Sequence, residues 1–192
     1  MGTIRLLLMM PLAVAALVAL PGRTAQVGAA SRPLAMGMGM GAVTIGPITA
    51  GAYRLTLEIG PRRPMYTQAQ YARLHPTTGE LMLGGTMTMG SGAMVMGMGA
   101  VNRHLELRIQ DGRALRVVTT ALVSIAYQPV VGMGMMAIRP QVVPVATMID
   151  IGGGMASFHY GNNIALAAQT TYRITARVNN RATAIFTVRF AR

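Results

Sequence analysis

Asn102-Arg-His-Leu-Glu-Leu-Arg-Ile-Gln-Asp-Gly112 is the stretch on which the fold turns. Read as extended chain, it puts Leu105, Leu107 and Ile109 on one face and His104, Glu106 and Arg108 on the other. The apolar row is a core face, so Asn102–Gln110 is expected to be a half-buried strand. Asp111-Gly112 is a hairpin signal and predicts a return strand over Ala114–Tyr127. Working outward, Ala52–Ile59 alternates in the same way, with Tyr53, Leu55, Leu57 and Ile59 on one side. Glu80–Met89 reads as a strand interrupted at Gly84-Gly85 by a bulge. Val142–Ile149 is a further strand, and Thr171–Val178 with Ala182–Phe190 makes a hairpin around Asn179-Asn180. Thr67-Gln-Ala-Gln70 has the form of a capping box, which predicts one short helix near 68–74, stopped by His75-Pro76. Many short strands, regular turn signals and almost no helix point to an all-β fold, a single antiparallel β-sandwich.

Three regions follow along the chain. Residues 1–29 have the form of a signal peptide: Arg5, then apolar Leu6–Leu20, then small residues ending at Val27-Gly28-Ala29. Residues 30–44 hold Met36-Gly-Met38-Gly-Met40-Gly and read as a flexible Met/Gly leader. The sandwich is assigned to 45–192. The expected location is periplasmic or secreted. There is no cysteine, hence no disulfide, no thiolate ligand, no catalytic thiol and no site for a lipid anchor. The leading apolar run is shorter than the ~20 residues of a membrane span, so no span is expected in the mature chain.

The formal net charge is +12, and all 17 basic residues are arginine. Such basicity raises the question of nucleic acid. The arginines are scattered singly along alternating strands, with no basic helix and no aromatic-interleaved run, so no nucleic-acid partner is expected. A solvated basic surface drawn to anionic lipid or polysaccharide fits better. The five carboxylates, Glu58, Glu80, Glu106, Asp111 and Asp150, are dispersed. No nucleophile elbow occurs, and Gly152–Gly154 does not open a helix as a phosphate loop would. The chain is not expected to be an enzyme.

Metal ligands are the chemistry the residues do suggest. Fifteen of the 18 methionines lie beyond the signal region. Met94, Met96 and Met98 alternate, so an extended chain lines their thioethers along one face, leading into His104 and Glu106. Thioethers are neutral soft ligands suited to Cu(I), and they also serve as flexible core fillers. His159 sits in a glycine-bounded stretch with aromatic neighbours, read as a turn presenting a ligand. His75, before a proline, reads as surface. Imidazole must be deprotonated to coordinate, which places acid release of metal near its reference pKa of ~6.5.

Phe158-His-Tyr-Gly-Asn-Asn163, followed by an apolar strand and the hairpin containing Tyr172-Arg-Ile-Thr175, resembles the His-Tyr-Gly-Asn signature of the periplasmic iron- and copper-binding proteins of bacterial iron-uptake systems. Arg103-His-Leu-Glu106 is similar to their His-Leu-Glu strand. The resemblance implies an immunoglobulin-like sandwich that binds metal through His104, His159 and a methionine of Met94–Met98, with Met98 first by spacing and Met96 next. Glu58, in Leu57-Glu-Ile-Gly60, is a looser match to the family's glutamate. Glu106 matches as part of the motif. One departure is that Gly154-Met-Ala-Ser-Phe158 stands where the family has an acidic residue before its second motif. The implied role is binding of copper or iron in metal uptake, delivery or tolerance. The implied partners are the metal ion and an inner-membrane metal transporter, with a homodimer as a further option. The competing expectation is a metal-free structural or interaction sandwich held at the cell envelope.

Overall fold

A computed structural model describes residues 41–87, 101–130 and 138–190, together with the backbone of Leu34–Ala35. Among the described residues there are twelve strands: β1 (Leu34–Ala35), β2 (Val43–Ala50), β3 (Tyr53–Pro61), β4 (Met65–Tyr66), β5 (Glu80–Gly85), β6 (Arg103–Asp111), β7 (Val123–Pro129), β8 (Gln141–Val143), β9 (Ala146–Asp150), β10 (His159–Ile164), β11 (Thr171–Val178) and β12 (Ala182–Arg189). They form two sheets, ordered β1-β12-β11-β7-β8 and β2-β3-β6-β10-β9-β5-β4. Pairing is antiparallel except for the short contacts β1–β12 and β4–β5. The fold is the all-β sandwich that the alternation predicts.

The core lies between the sheets. Leu55, Leu57 and Ile59 of β3 and Leu105, Leu107 and Ile109 of β6 meet Ile174, Ala176 and Val178 of β11 and Ala184, Phe186 and Val188 of β12. These are the apolar rows visible in the sequence. Burying each Val, Leu, Ile or Phe among them contributes roughly 1.5–3 kcal/mol, which fixes strand register because a one-residue slip would expose the whole row. The helix is also as predicted: α1 spans Gln68–Leu74, Thr67 and Gln70 close the capping box, and His75 ends it in the left-handed region. The β11–β12 hairpin turns at Asn179 and Asn180, both at positive φ. The register irregularity between Met82 and Gly84 stands at the glycine pair where a bulge is expected; 88 and 89 lie outside the described residues.

Three expectations are corrected. Asp111 does make a turn, its carboxylate accepting from the N–H groups of Arg113 at 2.9 Å and Ala114 at 2.7 Å. The chain folds back for one rung only, however: Gln110 and Val117 form an isolated antiparallel bridge, flanked by bonds from the Asp111 N–H to the Arg116 carbonyl and from the Val118 N–H to the Ile109 carbonyl, and no return strand spans Ala114–Tyr127. β3 runs along the whole of one edge of β6, and β10 covers the other from Arg103 to Leu107, so only the last residues of that edge are open to a returning chain. The chain therefore crosses to the other sheet, where Val123–Pro129 pairs with β8 and β11. Secondly, Val142–Ile149 is two strands in different sheets, parted at Pro144, which has no N–H to continue a ladder. Thirdly, His159–Asn163 is no turn but part of β10, every residue of which is buried. The first long strand, β2, also begins at Val43, two residues before the boundary read from sequence. The rest of 30–44, Leu34–Ala35 apart, lies mostly outside the described residues.

Candidate metal centre

Alternation in β6 that sends Leu105 and Leu107 into the core sends His104 and Glu106 to the opposite, outer face of the seven-stranded sheet. In β10, Tyr160 and Ile164 join the core, so His159, Gly161 and Asn163 share that outer face. Register then places Asn163 beside His104 and Gly161 beside Glu106. Further across, His159 faces Met148 of β9, and Asp150 of β9 faces Glu80 of β5. Gly161 leaves the middle of this face bare. A Cβ there would collide with the Leu105 carbonyl oxygen, so strands β6 and β10 approach too closely for any other residue.

One ligand atom from each of Glu80, His104, Glu106 and His159 lies within 4.8 Å of all the others, and all four residues are buried. Glu80 and His159 are 0 % exposed. Two donors bound to one ion at ~2.0–2.2 Å can be no further apart than about 4 Å. Glu80 Oε2 is 3.3 Å from His159 Nε2, and Glu80 Oε1 is 3.7 Å from His104 Nε2.

Hydrogen bonds fix which face each imidazole presents. His159 Nδ1 stands 2.8 Å from the Ser157 carbonyl oxygen, an obligate acceptor, so Nδ1 carries the proton. Asn163 Oδ1 accepts from the Arg63 N–H, and its Nδ2 donates to the Arg63 carbonyl and to Met65 Sδ, which settles its orientation. His104 Nδ1, 3.0 Å from that same Oδ1, is therefore also the protonated nitrogen. Both Nε2 lone pairs consequently point into the space shared with Glu80. His104 Nε2, His159 Nε2 and Glu80 Oε2 are buried with no hydrogen-bond partner among the described residues. With Glu80 ionised, three buried acceptors converge with no donor between them, an arrangement costing about 1–3 kcal/mol per unsatisfied group. The remaining unpartnered atom is Arg108 Nε, a donor beside the Glu106 carboxylate, which Arg108 Nη2 approaches at 3.2 Å.

Arg63 roofs the group. Its Nη1 lies 2.7 Å from Glu80 Oε1, 2.7 Å from Asp150 Oδ1 and 3.2 Å from Glu106 Oε1. Burial is the main influence on the titrating groups. It pushes the Glu80 carboxyl up to about 7, against the opposing hydrogen bond from Arg63. It pushes His104 down to about 4, against the bond to Asn163, and lowers His159 also. Both imidazoles are thus neutral at pH 7, the form that coordinates a cation. The donor set is two imidazole nitrogens with two carboxylates, and a metal ion fits it.

His104 and His159, predicted from sequence, are brought together; their ring centroids are 5.8 Å apart. Glu58 faces Glu106 across β3–β6, one strand further out, and is not one of the four converging groups. Met96 and Met98 lie outside the described residues. Sequence reasoning missed Glu80; it placed Glu106 beside His104 as a candidate carboxylate ligand, while the family resemblance required no ligand role of it. The signal for Glu80 was a carboxylate two residues before Met82 in a strand, on what proves to be a buried face. The buried methionines of the described chain, Met65, Met82 and Met148, form a small apolar cluster beside the site. Comparison of the chain with protein-family models, with curated proteins and with solved structures finds no match in any of the three.

Proposed function

We propose that this protein binds copper or iron outside the cytoplasm and acts in metal uptake, delivery or tolerance, without catalysis. The observation that carries the reading is the trio of unpartnered buried acceptors, His104 Nε2, His159 Nε2 and Glu80 Oε2, facing one another. A cation among them replaces lone-pair repulsion by three bonds. The signal-like residues 1–29 and the two His-containing motifs support the setting, and an inner-membrane metal transporter is the partner this role calls for. Imidazole and carboxylate donors favour divalent first-row ions, with Cu(II) ahead of Fe(II) in intrinsic affinity.

Isothermal titration with Cu(II) and Fe(II) at pH 7.5 and pH 5.5 tests this (roughly one unit either side of the histidine reference value). One saturable equivalent is expected. The proton competing with metal is that on Glu80, whose carboxyl is raised to about 7, and not one on His104, already lowered to about 4. Affinity should therefore start to fall just below neutrality, by up to about tenfold per pH unit. This departs from the simple imidazole expectation near ~6.5. A single observation favours a metal-free structural role instead: Arg63 already supplies a positive charge to Glu80, Glu106 and Asp150. The absence of saturable heat with either metal would establish that second reading.

A further inference from the structure

All five carboxylates of the chain fall on the seven-stranded sheet: Glu58 on β3, Glu80 on β5, Glu106 and Asp111 on β6, and Asp150 on β9. The five-stranded sheet has none. Its outer face carries Arg173 and Arg177 of β11 and Arg189 of β12, all exposed. Each stands directly opposite a threonine: Arg173 faces Thr187, Arg177 faces Thr183 and Arg189 faces Thr171. No ion pair engages these three arginines among the described residues. The seven-stranded sheet carries Arg54, Arg103 and Arg108 beside its carboxylates, whereas the outer face of the five-stranded sheet is a guanidinium-and-hydroxyl surface with no carboxylate to balance it.

We infer that this outer face docks the protein onto a membrane rich in anionic phospholipid. Charge complementarity selects an anionic partner. Guanidinium forks hold phosphate oxygens bidentately, and threonine hydroxyls beside them add donors. Arg173 and Arg177 are four residues apart on one strand, about 13 Å, so they reach separate headgroups. Between them lies a depression of about 380 Å³ bordered by Thr175, Ser124, Pro140 and Val142. Val142, at the sheet edge, is 73 % exposed, an aliphatic side chain able to enter the interfacial layer. No exposed aromatic ring stands on this face among the described residues, so the stacking that single-stranded nucleic acid uses is missing. Arginine phosphate contacts plus an exposed aliphatic fit a phospholipid surface better than a polysaccharide or a nucleic acid. This docking does not depend on whether the outer face of the other sheet binds metal.

Flotation with vesicles tests the inference. The chain should float with phosphatidylcholine vesicles containing phosphatidylglycerol, not with phosphatidylcholine alone, and high salt should release it. The double variant R173Q/R177Q should bind about 30-fold more weakly, from ~1 kcal/mol per arginine near an anionic surface. The control R73Q/R113Q removes the same charge from α1 and from the Asp111 turn and should bind within about twofold of the parent. A second variant, Thr175→Glu, places a carboxylate between the two arginines and should weaken binding similarly. Circular dichroism and metal titration should be the same for all four proteins. Equal loss in the control, equal flotation with neutral vesicles, tighter binding to DNA or heparin than to the anionic vesicles, or no flotation at all would each overturn the proposal.

Discussion

Glu80→Gln is expected to abolish stabilisation by metal while leaving the metal-free protein at least as stable as the parent. Glutamine keeps the shape of the side chain. Its oxygen still accepts from Arg63, and its amide N–H can donate across the 3.3 Å gap to the bare His159 Nε2. The substitution thus satisfies one orphaned acceptor, His159 Nε2, replaces another, Glu80 Oε2, by a donor, and removes the anionic ligand at once. Affinity for Cu(II) should fall by about 100-fold or more, the upper end of what disturbing even an outer ligand costs. A parent protein at 100 times its Kd gains about 2.7 kcal/mol, and the variant should gain almost none. The pH sense is fixed by the raised carboxyl. A folded-state value of about 7, above the usual 4.5, means the folded state holds the proton more tightly than the unfolded one. The metal-free parent therefore loses stability as pH rises from 4.5 to about 7, and the advantage of the glutamine variant is largest above that. Thermal melts of both proteins, with and without Cu(II), measure all of this. A variant that keeps the parent's metal-dependent shift would remove Glu80 from the site and, with it, the centre described here.

Gly161→Ala is the second large effect, and it acts on the fold. The added methyl would meet the Leu105 carbonyl oxygen and, at 2.9 Å, its carbonyl carbon. These are backbone atoms of the central strand β6 and cannot rotate away. Relief requires β6 and β10 to separate, which breaks the Gly161–Glu106 register and disperses His104, Glu106 and His159. Overpacking of this kind costs about 3 kcal/mol or more. Urea denaturation should show the loss, and metal binding should fail in whatever fraction remains folded. An alanine variant with parental stability would mean that the close approach of the two strands is not real.

Much of the fold was legible because the core needs period-two rows. Leu55-Leu57-Ile59 and Leu105-Leu107-Ile109 could hardly be anything but the inward faces of strands, and the Thr67–Gln70 box announced α1. Pairing was less legible. Asp111-Gly112 is a local signal, and it was obeyed locally, but whether a hairpin follows depends on which edges of β6 are free, a property of the assembled sheet. Pro144 announced a break without saying that the chain would change sheets there. The site was half legible. His104 and His159 carry their chemistry in their names. Phe158–Asn163, in contrast, reads as a turn because glycine and asparagine favour turns. In place it is a central strand whose polar side chains are consumed: Asn162 by the carbonyls of Thr86 and Pro144, Asn163 by Arg63 and His104. Glu80 was invisible because a lone carboxylate in a strand normally faces water.

Arg63 has a consequence for which ions the cluster can tolerate. Around it are three carboxylates, Glu80, Glu106 and Asp150, and a second arginine, Arg108, so the formal count is three minus two, a single negative charge. A divalent ion overshoots neutrality by one charge, a trivalent ion by two, and in a poorly hydrated interior each surplus charge is expensive. In the proposed metal site the guanidinium would act as a valence filter, disfavouring ferric against ferrous iron by charge. Substituting Arg63→Gln should relax that filter, and it would show as a larger relative gain in affinity for Fe(III) than for Fe(II).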